Sequence, residues 1–299
     1  MKLAVARLGA DRIPTVVEVD GEKATVVVGA AAADLVEVAV HPQRYTGRGE
    51  SIALADLELD PPLARPASLR DFMAYDAHLI NSLAGLGQTP HPSWYEEPIF
   101  YFSNPAAVIG HGAAVRRPRG SVKLDYEVEL AAVVGREAAD LDAEDPAALD
   151  CLAGFTLMND WSARDLAAKE MRHHLGPVKG KDFATSLGPW LVTPDELPIV
   201  DGVVDVPVVA RVNGAVHTDN TFRDMTFDWR RILARASANT TLVPGDVIGS
   251  GTVGFGCLLE LRTRNKELGE ERYRFLADGD VVEIEAAGLG VLRNVVGQP

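Results

Sequence analysis

Cysteine is nearly absent from this chain: Cys151 and Cys257 are the only two among 299 residues. That excludes a disulfide-stapled scaffold and a thiolate-based zinc or iron–sulfur centre. Basic charge is short as well. Lys and Arg number 29 against 43 Asp and Glu, a formal net charge of −14. A chain this acidic lacks the positive footprint of a nucleic-acid or anionic-membrane binder, so neither is expected as a partner. No apolar run approaches the length of a membrane span, and Lys2, Arg7, Asp11 and Arg12 leave no apolar signal core at the start. A soluble, cytoplasmic protein is the expectation. An anionic substrate is still allowed, because a metal or a few local cations can reverse the field within one cleft.

What is present is globular: 47% hydrophobic and 24% charged residues over a length that suits one large domain or two ordinary ones. Residues 15–19 and 24–28 read as strands joined by an Asp20-Gly21 hairpin signal. Pro61, Pro62 and Pro66 punctuate the chain next, and mark a boundary between a small N-terminal β-rich domain (1–67) and a larger unit (68–299). The pattern over 68–85 predicts a helix, with Ser68 as N-cap and Asp71 completing a capping box. Residues 126–134 and 154–158 read as strands, 162–174 and 228–236 as helices, and strands and turns dominate from Leu242 onward. Strands outnumber helices without a βαβ rhythm, which predicts an α+β architecture rich in antiparallel strand.

Four places carry candidate chemistry. On a strand, Asp125, Glu127 and Glu129 share one face. Two readings fit them, a solvated face or a cation site; like charges along a strand repel unless a cation offsets them, and acids are poor strand formers. Asp160 stands between an apolar strand and a helix, either as an N-cap or, if Ser162 and Asp165 form their own capping box, as a free ligand. Glu127, Glu129 and Asp160 would suit a hard cation such as Mg²⁺, which prefers oxygen donors. Asp71 and His78 fall on one face of the predicted helix, about 10.5 Å apart along its axis. Lys181 lies in a Gly/Pro-punctuated loop over 176–189. It is either a surface lysine or, near a metal, a group for a substrate carboxylate or a developing enolate. A dinucleotide loop, a Walker-type phosphate loop and a Gly-x-Ser-x-Gly elbow are all missing.

Taken in order, Asp125-Tyr126-Glu127-Val128-Glu129-Leu130, Met158-Asn159-Asp160-Trp161-Ser162-Ala163-Arg164-Asp165 and Gly180-Lys181-Asp182-Phe183 resemble the core motifs of the fumarylacetoacetate hydrolase family. So do Leu242-Val243-Pro244-Gly245-Asp246, Ser250-Gly251-Thr252 and Asp278-Gly279-Asp280. The resemblance runs from about residue 68 to the end. It implies a mixed, mainly antiparallel β-roll catalytic domain with a small N-terminal β domain, working as a homodimer. It implies Mg²⁺, Mn²⁺ or Ca²⁺ bound by Asp71, Glu127, Glu129 and Asp160. His78 matches the general base, and Glu260, in a segment similar to the family's Met-Leu-Glu-Leu strand, matches its acidic partner. Read without the resemblance, Glu260 is a solvent-facing strand residue paired with Arg262. Tyr101, Arg164, Lys181 and Thr252 match positions that contact substrate or intermediate. This chain departs from the pattern at Ala167, where relatives carry a substrate-facing glutamine, at Met73 in place of a tyrosine, and at Gly87 in place of an arginine; its turn after Thr252 is also shorter.

The activity so implied is divalent-metal-dependent hydrolysis of a carbon–carbon bond in a β-diketo acid, an acylpyruvate or a fumarylacetoacetate-like substrate, through a metal-bound enolate. His78, oriented by Glu260, would activate water, while Lys181 would stabilise developing negative charge. An oxaloacetate-type decarboxylase or a 2-hydroxydienoate isomerase would keep the metal and drop the water. A non-catalytic, metal-stabilised binding protein is the remaining alternative.

Overall fold

The computed structural model describes residues 1–85, 87–265 and 272–297. The N-terminal hairpin forms as its turn signal predicts: strand Ile13–Asp20 returns as Lys23–Ala31, with Asp20 opposite Lys23 and Gly21 at φ +55°. These strands do not close on themselves. Strand Lys2–Leu8 pairs with Ile13–Asp20 on one side and with Thr185–Val192 on the other, so the N-terminal strands extend the sheet that runs through the rest of the chain.

That sheet has 12 strands among the described residues and is mostly antiparallel. From Thr185–Val192 it continues through Leu152–Asp160, Val128–Val134, Val247–Gly249 and Leu69–Phe72 to Phe100–Phe102. A second, five-stranded sheet contains Pro207–Val212, Ala215–Thr221, Val281–Ala286 and Gly290–Gly297. The main core lies between the two sheets, where Phe155, Leu157 and Val192 meet Val208, Ile284 and Leu292. The α+β expectation is met: strands carry the architecture, and short helices cover it. Among the described residues no helix is long and apolar enough to cross a membrane.

Strand Val128–Val134 is buried on both faces. Its even positions, Val128, Leu130, Ala132 and Val134, enter the main core, while Ala131 and Val133 pack with Leu3, Val5, Leu35 and Val38 on the opposite face. Glu129 shares that second face by the period-two rule. Helix Trp229–Ser237 also forms where its pattern predicts. Asp228 caps it, accepting from the backbone N–H of Arg230 and Arg231, and Trp229, Ile232, Leu233 and Ala236 turn into the core.

Several local expectations are overturned. Residues 68–85 are not one helix: Leu69–Phe72 is a strand, paired parallel to Val247–Gly249 and antiparallel to Phe100–Phe102, and the helix is Asp76–Ala84. Sheet pairing on both edges outweighs the local helix pattern, and Ser68 donates to Asp246 Oδ1 at 2.6 Å instead of capping. The strand expected over 126–134 starts two residues later, at Val128, and the separate strand Leu124–Asp125 before it pairs with Ser162–Ala163. Ser162 and Asp165 form no capping box. Ser162 Oγ donates to the Asp160 carbonyl, and Asp165 accepts from Ser121 Oγ and the Val122 N–H. Helix Arg164–Glu170 is accordingly shorter than expected, and His174, in the left-handed region at φ +56°, lies beyond it.

Candidate active site

The sheet order explains how acids far apart in sequence converge. Gly249 lies opposite Asp71 on one neighbouring strand and opposite Ala131 on the other, and Glu129 lies opposite Met158. Asp71, Glu129 and Asp160 therefore project from three strands of one sheet into one place, and all three are buried. One carboxylate oxygen from each lies within 4.8 Å of the others. The room for them is the side chain that Gly249 lacks: a Cβ there would stand 2.5 Å from Asp71 Oδ1 and 3.1 Å from Glu129 Oε2. Sequence reasoning missed Gly249; its one signal was a glycine ending an apolar strand, which often marks a close approach.

Asp71 Oδ1, Glu129 Oε2 and Asp160 Oδ1 are buried with no hydrogen-bond partner among the described residues. Burial first, and the neighbouring acids second, push Asp71 and Glu129 well above the usual carboxylate range. Burial raises Asp160 too, despite Lys181 beside it. Three orphaned oxygens facing one another, with no nitrogen or sulfur donor among them, fit a hard divalent cation.

Lys181 Nζ is hydrogen-bonded to both Glu127 and Asp160. Glu127 Oε1 also lies 2.8 Å from an Arg164 guanidinium nitrogen and 3.9 Å from His78 Nε2. Burial works to raise Glu127, but Lys181 and then Arg164 outweigh it and hold the group below the ordinary carboxylate range. Glu127 thus stands beside the acid triad in its own ion-pair network, joined to Asp160 through one ammonium. Tyr101 Oη donates to Asp160 Oδ2 at 2.6 Å, and Thr252 Oγ1 donates to Glu129 Oε1 at 3.3 Å. A cleft of about 230 Å³, lined by Tyr101, Ser103, Asn104, Val178, Lys181 and Asp182, opens beside the ammonium. A larger hollow of about 390 Å³ lies at Met1, Glu18 and Arg48, and none of these site residues lines it.

His78, on helix Asp76–Ala84, faces Glu260 with Nδ1 2.8 Å from Oε2. Glu260 is fully buried, on helix Leu258–Arg264 rather than on a strand, so the solvent-facing strand reading is overturned. On a helix, positions 260 and 262 do not share a face. Its carboxylate also accepts from Asn81 Nδ2 at 3.0 Å, the Phe255 N–H at 2.8 Å and Cys257 Sγ at 3.2 Å. Burial alone would lower the pKa of His78, but Glu260 overrides it and the ring is more basic than usual. A ring that donates Nδ1–H to Glu260 leaves Nε2, on the Glu127 side, to take up or give a proton. His78, Cys257 and Glu260 also lie close enough to hold a cation. These groups are already hydrogen-bonded to one another, and burial keeps the thiol well above its usual pKa, hence protonated.

Asp125 does not join the acidic row expected of it. The strand break turns its carboxylate toward helix Leu258–Arg264, where it accepts from the Leu258 and Leu259 N–H groups at 2.8 and 3.0 Å and from Arg164 Nε at 2.8 Å. Asp125 and Arg164 therefore tie the helix that carries Glu260 to Glu127. The pairing is invisible in sequence, because it joins distant segments.

Comparisons with known proteins identify the family. Residues 68–297 match the family model described as fumarylacetoacetate (FAA) hydrolase C-terminal. A fumarylacetoacetase from Arabidopsis thaliana is 31% identical over 280 residues, covering 75% of this chain and 66% of that protein. An oxaloacetate tautomerase from Bacillus subtilis is 31% identical over 204 residues, covering 68% of this chain and 62% of that one. The chain thus spans about two thirds or less of the length of these relatives. The crystal structure of a 2-hydroxyhepta-2,4-diene-1,7-dioate isomerase from Mycobacterium marinum superposes with a TM-score of 0.70 at 27% identity, over 100% of this chain and 98% of that one. Matched over most of its length in sequence and over all of it in fold, the chain belongs to the fumarylacetoacetate hydrolase family.

Proposed function

We propose that this chain is a divalent-metal-dependent hydrolase that cleaves a carbon–carbon bond in a β-diketo acid of the acylpyruvate or fumarylacetoacetate type. Asp71, Glu129 and Asp160 would hold Mg²⁺, Mn²⁺ or Ca²⁺, with Glu127 as the fourth carboxylate, tied to Asp160 through Lys181. When bound, the cation supplies Lewis acidity toward the oxygens of a keto acid. Lys181 is the cation of the chain itself at that position, and it offsets negative charge that develops on the substrate. Tyr101 and Thr252 hold Asp160 and Glu129 in place, and Arg164 holds Glu127.

The observation that carries the hydrolytic reading is the His78–Glu260 pair, 2.8 Å apart and buried beside the acids. His78 Nε2 takes a proton from water, whose oxygen adds to the carbonyl carbon distal to the carboxylate. Glu260 stabilises the imidazolium that forms. The carbon–carbon bond then breaks, its electron pair leaves with the α-keto acid fragment as an enolate, and the proton held on His78 returns to that carbon. A tautomerase or isomerase needs a proton shuttle but no added water, so the product decides between them.

The test is loss of enol absorbance from a panel of acylpyruvates and fumarylacetoacetate with Mg²⁺ or Mn²⁺, for wild type and His78→Ala. Metal-dependent loss with release of two acid products, abolished in the variant, supports hydrolysis. Turnover of oxaloacetate or a 2-hydroxydienoate alone, whether or not it survives His78→Ala, overturns it. We place the protein in the cytoplasm as a homodimer. Its two free, buried thiols and its exposed apolar side chains, Ile99, Phe102 and Val122 among them, support that reading, and light scattering tests the dimer.

A further inference from the structure

Glu170 is the last residue of helix Arg164–Glu170 and takes no part in the chemistry above. Its carboxylate faces the loop that follows. Oε2 accepts from the backbone N–H of Val178 at 2.9 Å and of Gly180 at 3.0 Å, and Oε1 accepts from Lys179 at 2.8 Å. Three successive N–H groups aimed at one carboxylate form an anion-binding nest. Burial works to raise the pKa of Glu170, but these donors outweigh it, so the group stays ionised and its hydrogen bonds are charge-assisted.

The next residue after the nest is Lys181, where the chain turns inward. Gly180 is seated against the same helix: its carbonyl accepts from the Ala163 N–H at 2.8 Å, and a Cβ on it would come within 2.6 Å of the Ala167 nitrogen. The outer side of this stretch has little cover, since Met171, Leu175 and Val178 are exposed. A lysine has a long, flexible stem, so the place of its ammonium depends on how firmly its backbone is held. Glu170 supplies that hold from outside the site.

We propose that Glu170 is a positioning residue. It clamps the backbone of Val178, Lys179 and Gly180, and thereby sets Lys181 against Glu127 and Asp160 and fixes one wall of the cleft beside Tyr101. The functional part of this proposal rests on the role given to Lys181 in the proposed reaction; the clamp itself does not.

The experiment compares wild type, Glu170→Ala, Glu170→Gln, Lys181→Ala and the Glu170→Ala/Lys181→Ala double variant, each as the full chain with Mn²⁺. The first readout needs no turnover: acylation of individual lysines by an amine-reactive reagent, followed by peptide mass analysis. In wild type Lys179 is labelled and Lys181 is shielded. Glu170→Ala should raise the Lys181 labelling rate about tenfold or more, as expected for losing charge-assisted hydrogen bonds, and leave Lys179 unchanged. Glu170→Gln, which keeps an acceptor oxygen, should fall between, and it carries the same readout should the alanine variant not fold. The second readout is turnover. Glu170→Ala should lower kcat by about 10- to 100-fold, as for a misplaced catalytic group, but by less than about twofold on the Lys181→Ala background. Unchanged Lys181 labelling, or equal losses on both backgrounds, overturns the proposal. Wild type inert toward every keto acid would sink the proposed reaction, while the labelling would still decide whether Glu170 holds the loop.

Discussion

Two sets of buried carboxylates lie within one site and are satisfied in opposite ways. Glu260 is surrounded by donors, with His78 and Cys257 on one oxygen and Asn81 and Phe255 on the other. Asp71, Glu129 and Asp160 each keep an oxygen with no donor among the described residues. A buried charge is costly unless paired or hydrogen-bonded, and otherwise the group holds a proton. The contrast separates two kinds of machinery. The His78–Glu260 dyad is hydrogen-bonded within the chain, whereas the acid triad keeps oxygens that the described residues leave unmet. Between them stands Glu127, paired with Lys181 and Arg164.

The largest expected effect comes from emptying the triad. Chelation should abolish turnover. Mg²⁺ or Mn²⁺ at a hundred times its Kd should add about 2.7 kcal/mol of stability, read as a rise in Tm that Asp160→Asn removes. The pH dependence has a definite sign. Without metal, the raised pKa values of Asp71, Glu129 and Asp160 mean that the folded state binds more protons than the unfolded one. Their contribution to stability is then complete below the unfolded carboxylate range, near about 4, and is lost as pH rises through the raised values. His78, also raised, adds in the same direction above about 6.5. A Tm series from pH 5 to 8 should fall in chelator and run flatter with Mn²⁺. A level metal-free series would break the contrast, because the triad would then carry no unmet charge.

A sharper cut is Glu260→Gln. The amide still accepts from the Phe255 N–H but no longer opposes the imidazolium with a charge, so turnover should drop by about 10²–10⁴-fold. The rise in Tm with metal should be untouched. A parallel loss of both would mean that the two sets act as one. The smallest effect is expected at Gly249→Ala, whose Cβ would crowd Asp71 Oδ1 and Met158 Cε, both at 2.5 Å. Urea unfolding should show a cost of about 1–3 kcal/mol, with a diminished response to Mn²⁺. An unchanged metal response there would show that the triad does not depend on the space left by that glycine.

The N-terminal hairpin and the helix capped by Asp228 were legible in the sequence because their signals are local: a two-residue turn in one case, a side chain capping its own helix in the other. The strand Leu69–Phe72 was not, since a Ser–Asp spacing that suits a capping box was overridden by partners on both edges. Asp125 misled for a related reason. The period-two rule puts it in line with Glu127 and Glu129, but the strand breaks between them, and its carboxylate goes to the N-terminus of a helix more than a hundred residues later. Glu260 was found by resemblance and placed on the wrong element. Its meeting with His78 was expected, while the helix that brings it there was not.

Sequence alone determined the chemical inventory and its order along the chain. Donor chemistry follows from residue type: oxygen-only acids, a histidine, a lysine, and too little thiol for a soft-metal site. Only the tertiary structure decided which of these groups meet and which of them lack a partner. His78 and Glu260 are 182 residues apart in the chain. Asp71 comes beside Glu129 only through the register of strand Val247–Gly249, which lies between their strands. Register across a sheet is set by packing on both faces at once, and an unmet carboxylate oxygen exists only once the rest of the interior has closed around it.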